Sequence, residues 1–210
     1  GECAHVYLNG TDLGILWKEP WTVDITDKAK DGDNELTVCC DNRNDPDTPP
    51  GRPSEGLDFV YYGGIYRDVW MVETGDAYVS DSDRGGVYVS TKRLDERTWE
   101  VRADVTLAGA TDGAAHELVF QGKPVVSPFR VTDPKTWTPE TPNLEFLTVN
   151  ARKGGRLVDA VRVRFGFRDF TLSYDTGMTL NGRPYGRLLG VNHHQDFAYV
   201  GYAMSNSMHW

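Results

Sequence analysis

The stretch HVYLNGTDLGILWKEPWTVDIT, residues 5–26, carries the pattern that decides the fold class. Val6 and Leu8 recur with the period of two that is typical of a half-buried β-strand. Asn9-Gly10 follows at once, and these two residues tolerate the positive φ angles that a two-residue hairpin turn requires. The stretch therefore predicts antiparallel strands joined by a tight turn.

The same pattern continues outward along the chain. Runs rich in Val, Leu, Tyr, Phe and Thr alternate with Gly, Asp, Asn and Pro, and Asn181-Gly182 repeats the hairpin signal. Strands are predicted at residues 4–8, 21–25, 35–40, 66–72, 87–91, 98–107, 117–121, 144–151 and 157–165. Only residues 203–210 are predicted to open a helix, capped by Ser205 or Ser207. The chain is thus predicted to be all-β and to form antiparallel sandwiches.

Composition excludes two classes of partner. The net charge of -9 over 210 residues argues against nucleic acid, whose binding requires Lys and Arg to neutralise phosphates. No apolar run approaches the ~18–20 residues of a membrane span, and residues 1–20 lack the pattern of a signal peptide. We therefore expect neither a nucleic-acid nor a membrane partner.

The cysteines favour a reducing compartment. Cys3, Cys39 and Cys40 are an odd number, which does not make a disulfide framework. Neighbouring strand residues point to opposite faces, so Cys39 and Cys40 should not pair with each other. We expect all three to be small buried hydrophobic residues, and a cytoplasmic location is favoured over a periplasmic or secreted one.

Several longer stretches resemble a known family, glycoside hydrolase family 2, which contains β-galactosidases and β-glucuronidases. Residues 5–26, GDNELTV at 32–38 and GGIYRDVWM at 63–71 resemble its sugar-binding sandwich. WTPETPNLEFLTV at 137–149 and VDAVRVRFGFRDF at 158–170 resemble the end of its immunoglobulin-like domain. LNGRPYGRLLGVNHHQDFAYVG at 180–201 resembles the start of its catalytic (β/α)8 barrel.

This resemblance implies three domains. Residues 1–74 are expected to form a jelly-roll-like β-sandwich that lacks its first strands, residues 75–173 an immunoglobulin-like β-sandwich, and residues 174–210 a stub of the barrel. Residues 188–191 would be the first barrel strand, whose parallel neighbours would lie outside the chain. We therefore expect residues 186–210 to be mobile, to fold back on the immunoglobulin-like domain, or to pair with another copy.

The resemblance also implies a reaction, retaining hydrolysis of O-glycosidic bonds in β-galactosides or related β-glycosides. That chemistry uses two carboxyl groups, and in the family both are glutamates on later barrel strands. The pair Asn34-Glu35 looks like an acid/base signature but lies in a sandwich strand pattern. We therefore expect no catalytic residue in this chain, no activity of the chain alone, a β-glycoside as its partner, and possible assembly into a homo-oligomer.

Three residues are candidate substrate-binding groups by resemblance. His194 occupies the place of a family histidine that hydrogen-bonds sugar hydroxyls, and a neutral imidazole offers one donor and one acceptor for this task. Asp58 matches a family aspartate that reaches the sugar or a nearby cation. Asn192 either touches the substrate or braces its turn. The structural alternatives are that His194 packs under a loop and that Asp58 caps its own turn.

Other polar and aromatic residues have structural interpretations. Adjacent histidines on an extended strand diverge, so His193, His194 and Asp196 are not expected to bind a metal. No cofactor is expected beyond the cation that a family aspartate can contact. Arg67 is interpreted as an ion-pair residue at a domain junction. Core packing is favoured over sugar stacking for a group of aromatic residues: Trp17, Trp21, Trp70, Tyr61 and Tyr62.

Two further functions fit parts of the sequence. A non-catalytic carbohydrate-binding module of two β-sandwiches explains the strands, but it leaves residues 180–196 without a purpose. A structural or adhesive immunoglobulin-like protein predicts an exposed aromatic patch and no clustering of Asp58 with His194.

Overall fold

The computed structural model describes residues 3–43, 45–48, 56, 62–81, 86–186 and 189–209. Strands dominate these residues, and a 3-10 helix, Asn206–His209, lies near the end of the chain. The all-β prediction is therefore confirmed. No helix in the described ranges is both long and apolar enough to cross a membrane. The chain divides into two compact units, one of residues 1–71 and 190–210, the other of residues 72–189.

The first unit contains a three-stranded antiparallel sheet with the order β2-β1-β3. Its strands are β1 (Cys3–Leu8), β2 (Thr11–Leu16) and β3 (Leu36–Asp41). The central strand β1 buries every second residue, as its apolar alternation predicts. Asn9 and Gly10 connect β1 to β2 with φ angles of 52° and 77°, which are those of a type I′ turn. The hairpin predicted from Asn9-Gly10 is confirmed.

The second unit contains twelve of the described strands. They are β4 (Ala77–Val79), β5 (Val87–Arg93), β6 (Thr98–Val105), β7 (Leu107–Gly109), β8 (Ala114–Phe120), β9 (Lys123–Val125), β10 (Phe129–Thr132), β11 (Glu145–Lys153), β12 (Arg156–Phe165), β13 (Phe170–Ser173), β14 (Gly177–Leu180) and β15 (Arg183–Pro184). They pair into the sheets β10-β6-β5, β12-β11-β8-β9, β13-β14-β15 and β4-β7. The Asn181-Gly182 turn between β14 and β15 has φ angles of 54° and 76°, so the second predicted hairpin is also confirmed.

The hydrophobic core of the second unit lies between two of these sheets. Inward-facing residues of β6 pack with those of β8 and β11, and partly buried valines of β5 and β12 surround them. Trp99 meets Phe167 edge to face, with ring centroids 5.9 Å apart. Two sheets that bury their inner faces against each other form a sandwich. The predicted β-sandwich in this part of the chain is confirmed.

Two predicted strands are wrong. Residues 21–25 and 66–72 have no strand assignment, and Val69, Trp70 and Met71 are exposed. A strand exists only where its backbone N–H and C=O groups pair with a neighbour. The alternation of apolar and polar residues in the sequence does not show whether that neighbouring strand is present. Residues 189–191 likewise have no strand assignment, and residue 188, the first of the predicted barrel strand, lies outside the described residues.

The end of the chain also differs from expectation. Residues 190–210 group with the first unit, and that the segment 186–210 is mobile, folds back on the immunoglobulin-like domain or pairs with another copy stays a prediction. The predicted helix over residues 203–210 is reduced to the short 3-10 helix, in which the Met208 N–H donates to the Ser205 carbonyl. None of the three cysteines is buried, since Cys39 is exposed and Cys3 and Cys40 are half-buried, so the prediction of small buried residues is wrong.

Candidate functional site

The candidate residues Asn192 and His194 lie on the surface of the C-terminal segment, where both are exposed. Next to them, the ring of His193 meets that of His209 edge to face, with centroids 6.0 Å apart. This contact joins the two ends of residues 193–209, which we call the histidine loop.

Asp58, the remaining candidate, lies outside the described residues, so its predicted approach to His194 stays a prediction.

A groove separates the histidine loop from an earlier part of the first unit. Tyr62, Gly63, Ile65 and Tyr66 line one side, and residues 196–203 line the other. The groove has a volume of 610 Å³, which falls within the ~300–1,000 Å³ range of ligand pockets. Half-buried Asp196 contributes a carboxylate to this lining, in which the other side chains are aromatic or small and apolar.

Aromatic contacts hold the two sides of this groove together. The Tyr202 ring meets Tyr62 edge to face at 4.7 Å and Tyr66 edge to face at 5.5 Å between centroids. Edge-to-face pairs add to the free energy gained from burial. Beside them, the Arg67 Nη1 donates to the Met204 carbonyl at 3.3 Å, and the Met204 side chain is buried. We call Tyr62, Tyr66 and Tyr202 the tyrosine clamp.

Inside the histidine loop, residues 197–201 form a tight turn. The Gly201 N–H donates to the Phe197 carbonyl at 2.9 Å, and the Phe197 N–H donates back to the Gly201 carbonyl at 3.3 Å. Gly201 has a φ of 54°, and a Cβ atom at this position would lie only 2.7 Å from Cδ1 of Tyr62. Glycine is therefore required here both by the backbone conformation and by the close approach of the ring.

Several structural interpretations can now be compared with the contacts. Trp17, Trp21 and Trp70 are exposed, so the prediction that they pack in a core is wrong. Within the described ranges these three residues belong to no strand that pairs with a neighbour. Tyr62 is half-buried in the clamp, and Tyr61 lies outside the described residues. Arg67 binds a neutral carbonyl within the first unit, and its role in an ion pair stays a prediction.

A second polar cluster lies on the β1–β2 hairpin. Nε2 of His5 is 2.8 Å from Oδ1 of Asp12, and the Tyr7 hydroxyl is 2.9 Å from Nδ1 of His5. The Gly14 N–H donates to the same Asp12 oxygen at 2.7 Å. This backbone hydrogen bond, and after it the one with His5, lowers the pKa of the Asp12 carboxyl. The carboxylate is tied to its own hairpin, so the cluster is a stabilising network.

Metal ligands do not converge in the described part of the chain. No three His, Cys, Asp or Glu side chains there are grouped so that they could hold an ion. Asp58 is outside this set, and a cation beside it stays a prediction.

Tyr66, Tyr199 and Tyr202 were not singled out from the sequence, and Asp196 was weighed there as a metal ligand. The sequence did contain a pattern that could have indicated these residues, because the run FAYVGY at residues 197–202 is rich in aromatic residues for a loop.

The chain is similar in sequence to proteins of a known family. Residues 76–168 match the family model described as "Glycosyl hydrolases family 2". A β-galactosidase of Thermoanaerobacter pseudethanolicus is 29% identical to the chain over 96% of the chain's length, and a β-glucuronidase of Bacteroides fragilis is 31% identical over 89%. The chain spans 29% and 30% of the lengths of these two relatives.

The fold agrees with a solved structure over the whole chain. The crystal structure of a Bacteroides uniformis β-glucuronidase superposes with a TM-score of 0.79 and 27% sequence identity. The superposition covers 100% of this chain and 28% of that one. The arrangement of strands described above is therefore similar to the corresponding part of a β-glucuronidase.

Proposed function

This chain belongs to glycoside hydrolase family 2, and we propose that it forms part of a retaining β-glycosidase. The substrates proposed are β-galactosides or related β-glycosides, since relatives named β-galactosidase and β-glucuronidase match nearly the whole chain. The observation that carries the proposal is the packing of the histidine loop against Tyr62 and Tyr66. This packing brings the segment after residues 188–191 against residues 62–66 of the same unit.

In this proposal the residues of the chain bind the sugar and do not break its bond. Retaining hydrolysis requires a carboxyl pair about 5–5.5 Å apart, which we assign to glutamates outside these 210 residues. His194 would hydrogen-bond hydroxyls of the glycone, the sugar that is transferred. Asp58 would accept hydrogen bonds from its hydroxyls, because an ionised carboxylate is an acceptor only. Asn192 would brace the turn that presents His194 or touch the sugar itself.

The surface position of His194 is consistent with this role. An exposed imidazole contributes little to a core, and a neutral imidazole can both donate and accept a hydrogen bond. Leaving a polar group without its hydrogen bond in a closed complex costs about 1–3 kcal/mol of free energy. The role of His194 is therefore measurable in kinetics.

The test is a substitution in the natural gene product that contains this chain. His194→Ala is expected to lower kcat/KM for an aryl β-glycoside by roughly ten- to a hundredfold, as the loss of one such hydrogen bond implies. His116→Ala is the matched control, because His116 is an exposed histidine of β8 in the second unit. Equal kcat/KM values for the two variants would contradict the role of His194.

A separate measurement distinguishes the enzyme from a carbohydrate-binding module. The 210 residues alone are expected to neither hydrolyse nor detectably bind β-galactosides, because the proposed site is completed by further domains. Titration calorimetry with galactosides tests this expectation. Saturable binding by the isolated chain would favour the binding module.

A further inference from the structure

We infer that a row of arginines on the second unit binds acidic glycans, which are polysaccharides whose sugar units carry carboxylates. The row consists of Arg162, Arg164 and Arg168, and we call it the arginine stripe. Hydrolysis of a β-glycoside does not require such a surface, so the inference goes beyond the proposed function. The choice of a glycan as the ligand rests on that function.

Strand β12 directs the first two arginines of the stripe away from the core. Val161 and Val163 pack against the hydrophobic core, and successive strand residues point to opposite faces of a sheet. Arg162 and Arg164 are therefore on the outer face, where both are exposed. Two residues of a strand span about 7 Å, so these two side chains leave the sheet as neighbours.

An aromatic ring lies beneath Arg162. Phe146 is the cross-strand partner of Arg164 in the β11–β12 ladder, and the guanidinium carbon of Arg162 is 3.9 Å from the centre of the Phe146 ring. At this distance the guanidinium contacts the ring in a cation–π interaction. The contact restrains a long side chain, so less freedom is lost when its N–H groups bind a ligand.

Trp137 extends the same surface to Arg168. Gly166 lies between the buried residues Phe165 and Phe167, so it too faces outward. A Cβ atom at Gly166 would lie 3.1 Å from Cβ of Trp137, which therefore covers this position from the outer side. The guanidinium carbon of Arg168 is 4.9 Å from the centre of the Trp137 ring. The stripe thus combines guanidinium groups with aromatic rings along its length.

The positive charges of the stripe are not neutralised within the described part of the chain. None of the ion pairs there includes Arg162, Arg164 or Arg168. Glu117, on the outer face of the same sheet, pairs instead with Arg152 at 3.2 Å. Each guanidinium has five N–H donors, and an aromatic ring beneath it satisfies few of them. The stripe therefore offers charged donors to an anion, although the net charge of the chain is -9.

A polyuronate matches this surface better than other anions. A carboxylate accepts two parallel hydrogen bonds from a guanidinium. A polymer brings several carboxylates to neighbouring arginines at once, so its affinity exceeds that of a single contact. The apolar C–H face of a sugar can also pack on Phe146, which is 40% exposed. Nucleic acid, another polyanion, is disfavoured by the acidic charge of the chain.

The test measures binding of polygalacturonate, a polyuronate, to the natural gene product by affinity electrophoresis, with neutral dextran as the comparison. A β-glycosidase does not consume this probe, because its sugars are α-linked. The wild type is expected to bind polygalacturonate and not dextran. Added salt should weaken the binding, since it screens exposed charges.

Paired substitutions assign the binding to the stripe. Arg162→Gln/Arg164→Gln is expected to raise the Kd for polygalacturonate at least tenfold and to leave Tm unchanged. Arg162→Lys/Arg164→Lys should have an intermediate Kd, because an ammonium group keeps the charge but not the bidentate geometry. Arg102→Gln/Arg130→Gln is the matched control, because it removes the same charge from exposed positions of the sheet β10-β6-β5.

Each outcome decides the matter. A loss of binding in Arg162→Gln/Arg164→Gln that the control does not show supports the stripe, whereas equal losses in both overturn it, because net charge alone then explains the binding. A wild type that hydrolyses an aryl β-glycoside without binding polygalacturonate overturns the stripe and leaves the proposed function standing. If the stripe variant of such a protein also has a lower Tm, the arginines contact another part of the natural protein instead. A wild type that binds through the stripe but hydrolyses no β-glycoside contradicts the proposed function alone.

Discussion

Gly201 offers a direct test of how the histidine loop is held on the first unit. A Cβ atom at Gly201 would lie 2.7 Å from Cδ1 and 2.8 Å from Cε1 of Tyr62. Carbon atoms attract best about 3.5–4.0 Å apart, so a methyl group would overlap the ring. Tyr62 cannot withdraw easily, because its ring is also in contact with Tyr202. The substitution Gly201→Ala should therefore loosen the loop.

Gly154 provides a control that is matched in backbone conformation. Its φ of 55° is almost that of Gly201 at 54°, but no heavy atom lies within 4 Å of a Cβ built there. Gly154→Ala should cost only the left-handed penalty of about 1–2 kcal/mol. Gly201→Ala carries the same penalty plus about 1–3 kcal/mol for overpacking. The effect of alanine on the unfolded chain is common to both variants and cancels.

Native-state hydrogen exchange measured by mass spectrometry reports these changes as local opening free energies. Gly201→Ala should lower the opening free energy of peptides that span residues 62–67 and 193–209. Gly154→Ala should act only on peptides of the β11–β12 hairpin. In a Tyr62→Ala background the excess cost of Gly201→Ala should disappear. Unchanged exchange around Tyr62 in Gly201→Ala would refute the described contact.

Three further predictions concern the clamp, the core and an ion pair. Tyr202→Ala should speed exchange of the histidine loop and Tyr202→Phe should not, because the phenyl ring keeps the edge contacts; equal exchange in both variants argues against the clamp. Leu147→Ala, at a position that is 0% exposed, should cost about 2–5 kcal/mol in urea unfolding, whereas Leu157→Ala, at 53% exposure, should cost less than about 1 kcal/mol. The hydrogen bonds from Arg97 lower the pKa of the Asp133 carboxyl in the folded protein. The ionised carboxylate therefore stabilises the fold at pH values above the pKa that Asp133 has in the unfolded chain. This stabilisation is lost as the pH falls through the lower pKa of the folded protein. A scan of Tm from pH 6 to pH 2 should therefore show a smaller acid-induced decrease in Asp133→Asn than in the wild type, and identical slopes contradict the linkage.

Local sequence signals predicted the elements that depend on neighbouring residues. Asn9-Gly10 and Asn181-Gly182 specify their turns because both positions require a positive φ. The long strands β11 and β12 follow from alternating apolar residues that meet across one ladder. A few neighbouring residues determine each of these features, so the sequence pattern alone was sufficient to predict them.

The features that the sequence missed depend on distant partners. The run at residues 66–72 has the composition of a strand but lacks a paired neighbour in the described structure. The contact of Arg67 with Met204 joins residues 137 positions apart, and the tyrosine clamp has a similar span. No periodic pattern in the local sequence predicts a contact between residues so far apart in the chain. His194 and Asn192 were found by resemblance, whereas Tyr199 and Tyr202 became visible only when the histidine loop was seen against Tyr62 and Tyr66.

The central claim is that the histidine loop contacts the sugar of a β-glycoside substrate. The most direct measurement is a crystal structure of the natural gene product with a bound, non-hydrolysable β-glycoside. We predict that a ring nitrogen of His194 lies about 3 Å from a glycone hydroxyl, the distance of a hydrogen bond. A glycone bound in the active site with no atom within hydrogen-bond distance of His194 would contradict the claim.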